Sequence, residues 1–227
     1  PALQVSWGPF TSLQFCALAG AAGALGLIYA LARRQSGLSM NILLLAGVTI
    51  SIFCGSLVML VRYLVNPNLL VQMDRWMMGG LDVIGYGQLA SIVPLLLPGL
   101  VLLLAQANAL NHLALGEQLA AGQGVDVTAV QRETFIAGGL ATAAVVSLVG
   151  PIGFVGLVVP HIVRRLGGVD QRFVLPGAFL LGGAVLTLCD GAARTVVAPA
   201  EMPVGIITAL IGCPIFVRIL VRNTPRG

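Results

Sequence analysis

Long apolar stretches, each close to the length that crosses a bilayer, constrain this chain more than any other feature. A helix needs roughly 20 apolar residues to span the hydrocarbon core. Lipid offers no partner to backbone N–H and C=O groups, so helices, which satisfy them internally, are the expected spanning form. Residues 10–32 are the first stretch, ending at Arg33 and Arg34, and residues 41–65 the second, with Arg62 near its far end. Residues 88–107 are the third; Pro94 and Pro98 kink it, which neighbouring helices accommodate. The run 134–163 is too long for one ordinary span. Gly150, Pro151 and Gly153 interrupt it, dividing it into a span ending near Val149 and a short one over 155–163. Residues 173–197 and 204–221, separated by Pro199, Glu201 and Pro203, bring the count to seven crossings. The expected fold is therefore all-α, a polytopic transmembrane helical bundle forming one domain over residues 1–227.

Two polar connections stand out. Residues 66–87 hold Asn66, Pro67, Asp74, Arg75, Trp76 and Asp82 and are expected outside the membrane, with a short interfacial helix over 69–78. Trp76 and Tyr86 suit the aromatic belt at the interface. Residues 108–133 form the longest polar stretch, with Glu117, Asp126, Arg132 and Glu133. A connection of that length with its own helical periodicity usually has a function.

Charge placement orients the bundle. Only 9% of residues are charged against 58% hydrophobic, whereas soluble domains carry about 25% charged residues. All twelve basic residues are Arg. With seven crossings and the N-terminal end outside, nine of them (Arg33, Arg34, Arg132, Arg164, Arg165, Arg172, Arg218, Arg222 and Arg226) lie inside. Three, Arg62, Arg75 and Arg194, lie outside. Reading 134–163 as one helix reverses the bias to four against eight, so the positive-inside rule decides for seven crossings and a cytoplasmic C-terminus. The net charge of +4 comes from arginines between apolar runs, with no cluster interleaved with aromatics, so no nucleic-acid partner is expected.

Cys16, Cys54, Cys189 and Cys213 each sit in an apolar stretch with no CxxC spacing and read as small buried hydrophobes. No metal site or cofactor is expected: His112 and His161 are the only histidines and no HExxH pattern exists. His161 is expected to be a hydrogen-bonded structural residue. Small residues at near-four spacing, such as Gly20 and Ala24, or Gly138, Gly139, Gly182 and Gly183, indicate closely packed helices. The chain begins at Pro1 without a signal-peptide arrangement and reads as a piece of a longer one.

Three motifs carry chemistry. The first, Leu115-Gly116-Glu117-Gln118-Leu119-Ala120-Ala121-Gly122-Gln123-Gly124, suits a short amphipathic helix followed by a turn, presented on the inside. Such a helix can seat in a partner's groove; an ordinary solvated loop is the competing reading. The second runs from Gly150 and Pro151 through Gly153 to Pro160, His161, Arg164 and Arg165. Broken helix at membrane depth is tolerated where it is buried in protein or lines a water-filled path, so Gly150, Pro151, Gly153 and Pro160 are gate candidates. Thr49 and Ser51 in the second span are further path-lining candidates. The third is Cys189-Asp190-Gly191-Ala192-Ala193-Arg194, in which Asp190 and Arg194 stand one helical turn apart and are expected to pair. An ionisable residue within a span is a functional candidate, and an internal ion pair locking the helix is compatible with that.

Together these stretches resemble the FecCD-type permease family, which imports iron-siderophores, haem and cobalamin. The resemblance runs from residue 43 to 221 through LLLAGV, WMMGGLD, LALGE-x-x-A, GPIGFVGLVVPHIVRRLGG, CDGAAR and AEMPVGIITALIGCPIF. It implies a ten-span permease of the bacterial inner membrane, of which this chain matches the last seven, working as a homodimer or pseudo-dimer. It also implies two cytoplasmic ATPase subunits, a periplasmic or lipid-anchored binding protein, and no enzymatic activity in the permease itself. Residues 108–133 become the coupling segment, with Leu115, Gly116, Glu117, Gln118, Ala120 and Gly124 facing the ATPase. Arg194, with Arg75 in the outer loop, matches the face that docks the binding protein. Gln123 departs from the Leu more usual before Gly-Val. The alternative is an ion-coupled secondary transporter, which would place carboxylates or broken-helix ion sites at the midplane; Asp190 is the single candidate within a span, and it lies toward an end.

Overall fold

The computed structural model describes residues 6–7, 10–33, 40–81, 85–196 and 202–223. Arg34, Asp82, Pro199, Glu201 and Arg226, all used above to place boundaries, lie outside the described residues. A two-residue antiparallel pairing of β1 (Ser6–Trp7) with β2 (Phe10–Thr11) precedes the helices. The helices are α1 (Ser12–Arg33), α2 (Met40–Leu64), α3 (Pro67–Met77), α4 (Tyr86–Ala105) and α5 (Ala107–Ala114). They continue as α6 (Glu117–Gly122), α7 (Val127–Val149), α8 (Val155–Gly167), α9 (Gln171–Val196) and α10 (Val204–Asn223).

The seven expected crossings correspond in order to α1, α2, α4, α7, α8, α9 and α10, and the expected interfacial helix to α3. Their lengths differ more than the sequence implied. Among the described residues, α2, α7 and α9 are long and apolar enough to cross a membrane, and α4 with α5 passes the same test as a pair bent by 51°. The apolar parts of α1 and α10, Phe15–Leu31 and Val204–Ile219, are shorter. At 13 residues, α8 reaches only about 20 Å against a core of about 30 Å. The polar stretch 108–133 is not a loop: it is divided among α5, α6 and the first two turns of α7, which begins seven residues before the apolar run does.

The chain falls into two compact units. The first comprises residues 1–73 and 84–148; the second comprises residues 74–83 and 149–227. In the first unit α1 packs on α2 and α5 on α6. Its buried residues are mostly small: Ala46, Ser91, Ala107, Ala120, Ala137, Ala143, Ala144 and Ser147. Small side chains let helix backbones approach, which is how apolar helices associate where lipid already solvates Leu and Val. The second unit is a helical hairpin of α8 and α9 with α10 against α9. Its core joins Cys189, Ala193, Val204 and Ile207, with Leu81, Val185 and Met202 packed around them. Large apolar side chains such as Ile52, Leu60, Leu180 and Leu188 point outward, the inverse of a soluble fold.

Candidate functional site

The first motif folds as a short helix with defined ends. Gly116 takes φ +119° and starts α6, and the chain leaves α6 through a left-handed Gly124 at φ +83°. The Gly124 N–H donates to Ala121 O at 3.0 Å and the Val125 N–H to Ala120 O at 3.1 Å. This paired closure of a helix C-terminus depends on a residue that accepts positive φ. Two residues later Asp126 caps α7, its Oδ1 accepting the Ala129 N–H at 3.0 Å. Gly124 and Asp126 therefore stop one helix and start the next within three residues.

Burial sorts the expected coupling residues. Leu115, Gly116, Glu117, Gln118 and Gly124 are exposed, whereas Ala120 has 0% exposure. Ala120 faces inward and seats α6, so it is not available to a partner. Leu119, absent from the expected set, is 61% exposed on α6, and Leu115, at the end of α5 before Gly116, is 64% exposed. The outward face of α6 thus carries Leu119 with Gln118 beside it, and Leu115 is exposed just before the helix. Glu117 Oε1 accepts a hydrogen bond from Gln131 Nε2 of α7 at 2.8 Å. On the same helix Glu133 Oε2 accepts from Gln106 Nε2, at the bend between α4 and α5. The sequence marked Glu133 only as one charge of a polar stretch and did not single out Gln131 or Gln106; α7's early start brings Gln131 and Glu133 into the site, and the α4–α5 bend brings Gln106.

In the second unit the broken helix packs against backbone. Gly150 is buried at φ +72°, and a Cβ there would strike the carbonyl oxygen of Trp76. The Gly80 N–H donates to Val149 O at 2.9 Å, and the Gly205 N–H to Gly79 O at 3.3 Å. Pro151 and Gly153 are exposed and Pro160 lies half-buried inside α8. Phe154, at φ +65°, opens α8 in a left-handed conformation, its side chain against Gly212 of α10. His161 Nε2 is buried without a hydrogen-bond partner among the described residues, so the expected bond is not made at that nitrogen. A cavity of about 170 Å³ lies among α8, α9 and α10, lined by Phe154, Val158, Ile162, Cys189, Thr208 and Ile211. Sites for drug-sized ligands hold about 300–1,000 Å³, so this cavity is too small for a bulky chelate.

Toward the end of α9, Arg194 Nε donates to Asp190 Oδ2 at 2.8 Å, the Arg side chain 47% exposed. Arg75 is exposed on α3. Thr49 and Ser51 are exposed on α2, and Thr49 Oγ1 donates to Leu45 O of its own helix at 2.9 Å. Cys189 is buried in the core, whereas Cys16, Cys54 and Cys213 are exposed, which corrects the expectation that all four are buried. Positions inside an apolar run point to lipid as readily as to protein.

Comparison with known proteins places this geometry. The FecCD transport family matches residues 2–222. The hemin transport system permease protein HmuU of Yersinia pestis is 40% identical over 197 residues, 87% of this chain and 59% of that protein. The vitamin B12 import system permease protein BtuC of Yersinia pseudotuberculosis is 39% identical over 214 residues, 94% of this chain and 63% of that protein. This chain spans less than two thirds of the length of either relative. A solved chain assigned to the metal-chelate type of ABC transporter, in an inward-facing conformation, superposes with a TM-score of 0.85 at 29% identity. That match covers 97% of this chain and 70% of the other.

Proposed function

This chain belongs to the FecCD transport family, and on that premise we propose that it is a membrane-spanning permease subunit of an ATP-binding-cassette importer. Its cargo is an iron chelate, haem or cobalamin, carried across the bacterial inner membrane. A second permease subunit, two cytoplasmic ATPase subunits and an extracytoplasmic binding protein complete the transporter. The C-terminus lies in the cytoplasm, because that orientation puts nine of twelve arginines inside.

The observation that carries this reading is α6. It is short, closed at its C-terminus by Gly124, seated by Ala120, and presents Leu119 to solvent, with Leu115 exposed at the turn before it. Exposed apolar side chains on an anchored short helix and the turn that leads into it fit a groove in a partner, the arrangement needed to receive force from a motor. Vectorial transport requires such an input: a cargo binding both gate states equally shifts neither. The ATPase cycle supplies it, and the permease converts it into alternating access. Asp190 does not serve an ion-coupled mechanism, since it is held by Arg194 six residues from the end of α9.

Uptake by the complete permease, reconstituted in vesicles with its ATPase and binding protein, tests this. Ferric siderophore, haem and cobalamin are offered in parallel, with and without ATP. ATP-dependent uptake of one of them is the expected outcome. Uptake that follows an ion gradient without ATP overturns the proposal in favour of a secondary transporter.

A further inference from the structure

The first turns of α7 make two polar contacts in two directions. Gln131 Nε2 donates to Glu117 of α6, and Glu133 accepts from Gln106 at the α4–α5 bend. Residues two apart on a helix point to nearly opposite faces. The start of α7 therefore stands between α6 on one side and the bend on the other. Further along the Glu133 face, α4 and α7 touch backbone to backbone: a Cβ on Gly99 would lie 2.9 Å from Ala137 O and 3.3 Å from Ala141 Cβ. Residues 133, 137 and 141 follow one another at helical four-residue spacing, so the Gln106–Glu133 bond and the close approach at Gly99 fall on one face of α7. The bend at Gln106, where the axis turns by 51°, is the point at which this pair ends.

We propose that Gln131 and Glu133 are positioning residues for transport, forming a two-point clamp that passes displacement of α6 to the α4–α5 bend. The inference rests on the reading of α6 as the helix that meets the ATPase, and it adds the route by which the motion leaves α6. A displaced α6 pulls on Gln131 through Glu117. Because α7 is a continuous 23-residue helix, Glu133 moves with Gln131. Gln106 follows, and since Gly99 fixes α4 higher up, the bend takes up the change. Neither contact touches cargo, so losing one leaves the ATPase running while less of its work reaches the spans.

The test measures uptake and ATP hydrolysis on the same vesicles holding the complete transporter. Gln131→Ala and Glu133→Ala are each expected to lower cargo taken up per ATP hydrolysed about tenfold, the scale of one lost charged hydrogen bond, with hydrolysis kept within about twofold. Glu133→Gln, which still accepts from Gln106, is expected to restore the ratio. The double variant Gln106→Ala/Glu133→Ala is expected to be no worse than Glu133→Ala alone, as for two groups sharing one interaction. An unchanged ratio in the alanine variants, or uptake and hydrolysis lost in equal proportion with no rescue by Glu133→Gln, overturns the clamp. Wild-type vesicles that take up no cargo with ATP overturn instead the reading of the chain as an ATP-driven permease, before any variant is compared.

Discussion

A methyl group at Gly150 would meet the carbonyl oxygen of Trp76 in a backbone conformation that L-residues avoid. Left-handed φ costs roughly 1–2 kcal/mol for a non-glycine residue, and overpacking adds typically 1–3 kcal/mol. Gly150→Ala is therefore expected to destabilise the second unit by about 2–5 kcal/mol, read as a lowered unfolding midpoint in detergent. Arg194 is different in kind. Its bond to Asp190 is an exposed pair one turn apart, worth about 0.3–0.5 kcal/mol, so Arg194→Glu is expected to leave the midpoint nearly unchanged. If Arg194 docks the binding protein, the same variant weakens docking, and the deficit varies with salt because it is electrostatic. Docking indistinguishable from wild type at every salt concentration removes Arg194 from that face. The Asp190–Arg194 pair was legible in the sequence because helical spacing alone brings the two together. Ala120 was not, because an alanine in a polar stretch carries no sign of which way it faces until the helix phase is known.

At the scale of the element, the Gly150–Gly153 cluster marked the break between α7 and α8, whereas Pro94 and Pro98 did not interrupt α4, and the helix starts were the weaker inference. Apolar runs mark where lipid begins, whereas a helix continues past that line whenever caps and backbone bonds support it. α7 shows this: Asp126 caps it well before Thr134, carrying Gln131 and Glu133 into helical register. The clamp was invisible for that reason, since hydrogen bonds between residues 14 and 27 positions apart follow from packing rather than pattern. α6 also yields a prediction. Glu117→Lys places a second donor opposite Gln131 and reverses a charge in the first turn of the helix, without touching buried Ala120. ATP hydrolysis in the complete transporter is expected to persist while uptake falls. Uptake and substrate-stimulated hydrolysis both equal to wild type would remove Glu117 from the coupling path.

For the molecule as a whole, composition and charge together were sufficient to assign the class. A chain with so few charges requires lipid as its solvent, and the proposed orientation rests on the arginine asymmetry. The number of long apolar helices was less legible. Pro94 and Pro98 sit inside an uninterrupted α4, whereas the bend falls at Gln106, where no proline stands. α8 is too short to cross straight through, and its length follows from Gly150–Phe154 at one end and Gly168 at the other rather than from hydropathy. The identity of the proposed cargo stays out of reach of the sequence for a physical reason: small and apolar side chains do not discriminate among bulky solutes. Parallel uptake of the three cargoes is what separates them.

Among the described residues, no side chain larger than Ser91 is fully enclosed. The buried residues of the first unit are mostly alanine, glycine and serine, which have almost no rotamers to rearrange. Helices that touch through such surfaces can shift as rigid bodies without unlocking and refitting interdigitated side chains, a step that makes bulky cores resist sliding. The entropy that a Leu-rich interior would lose and regain on each stroke is absent here. If the chain works as the proposed transporter, such an interior leaves more of each stroke for the cargo, at the expense of an interior in which one added methyl group is felt.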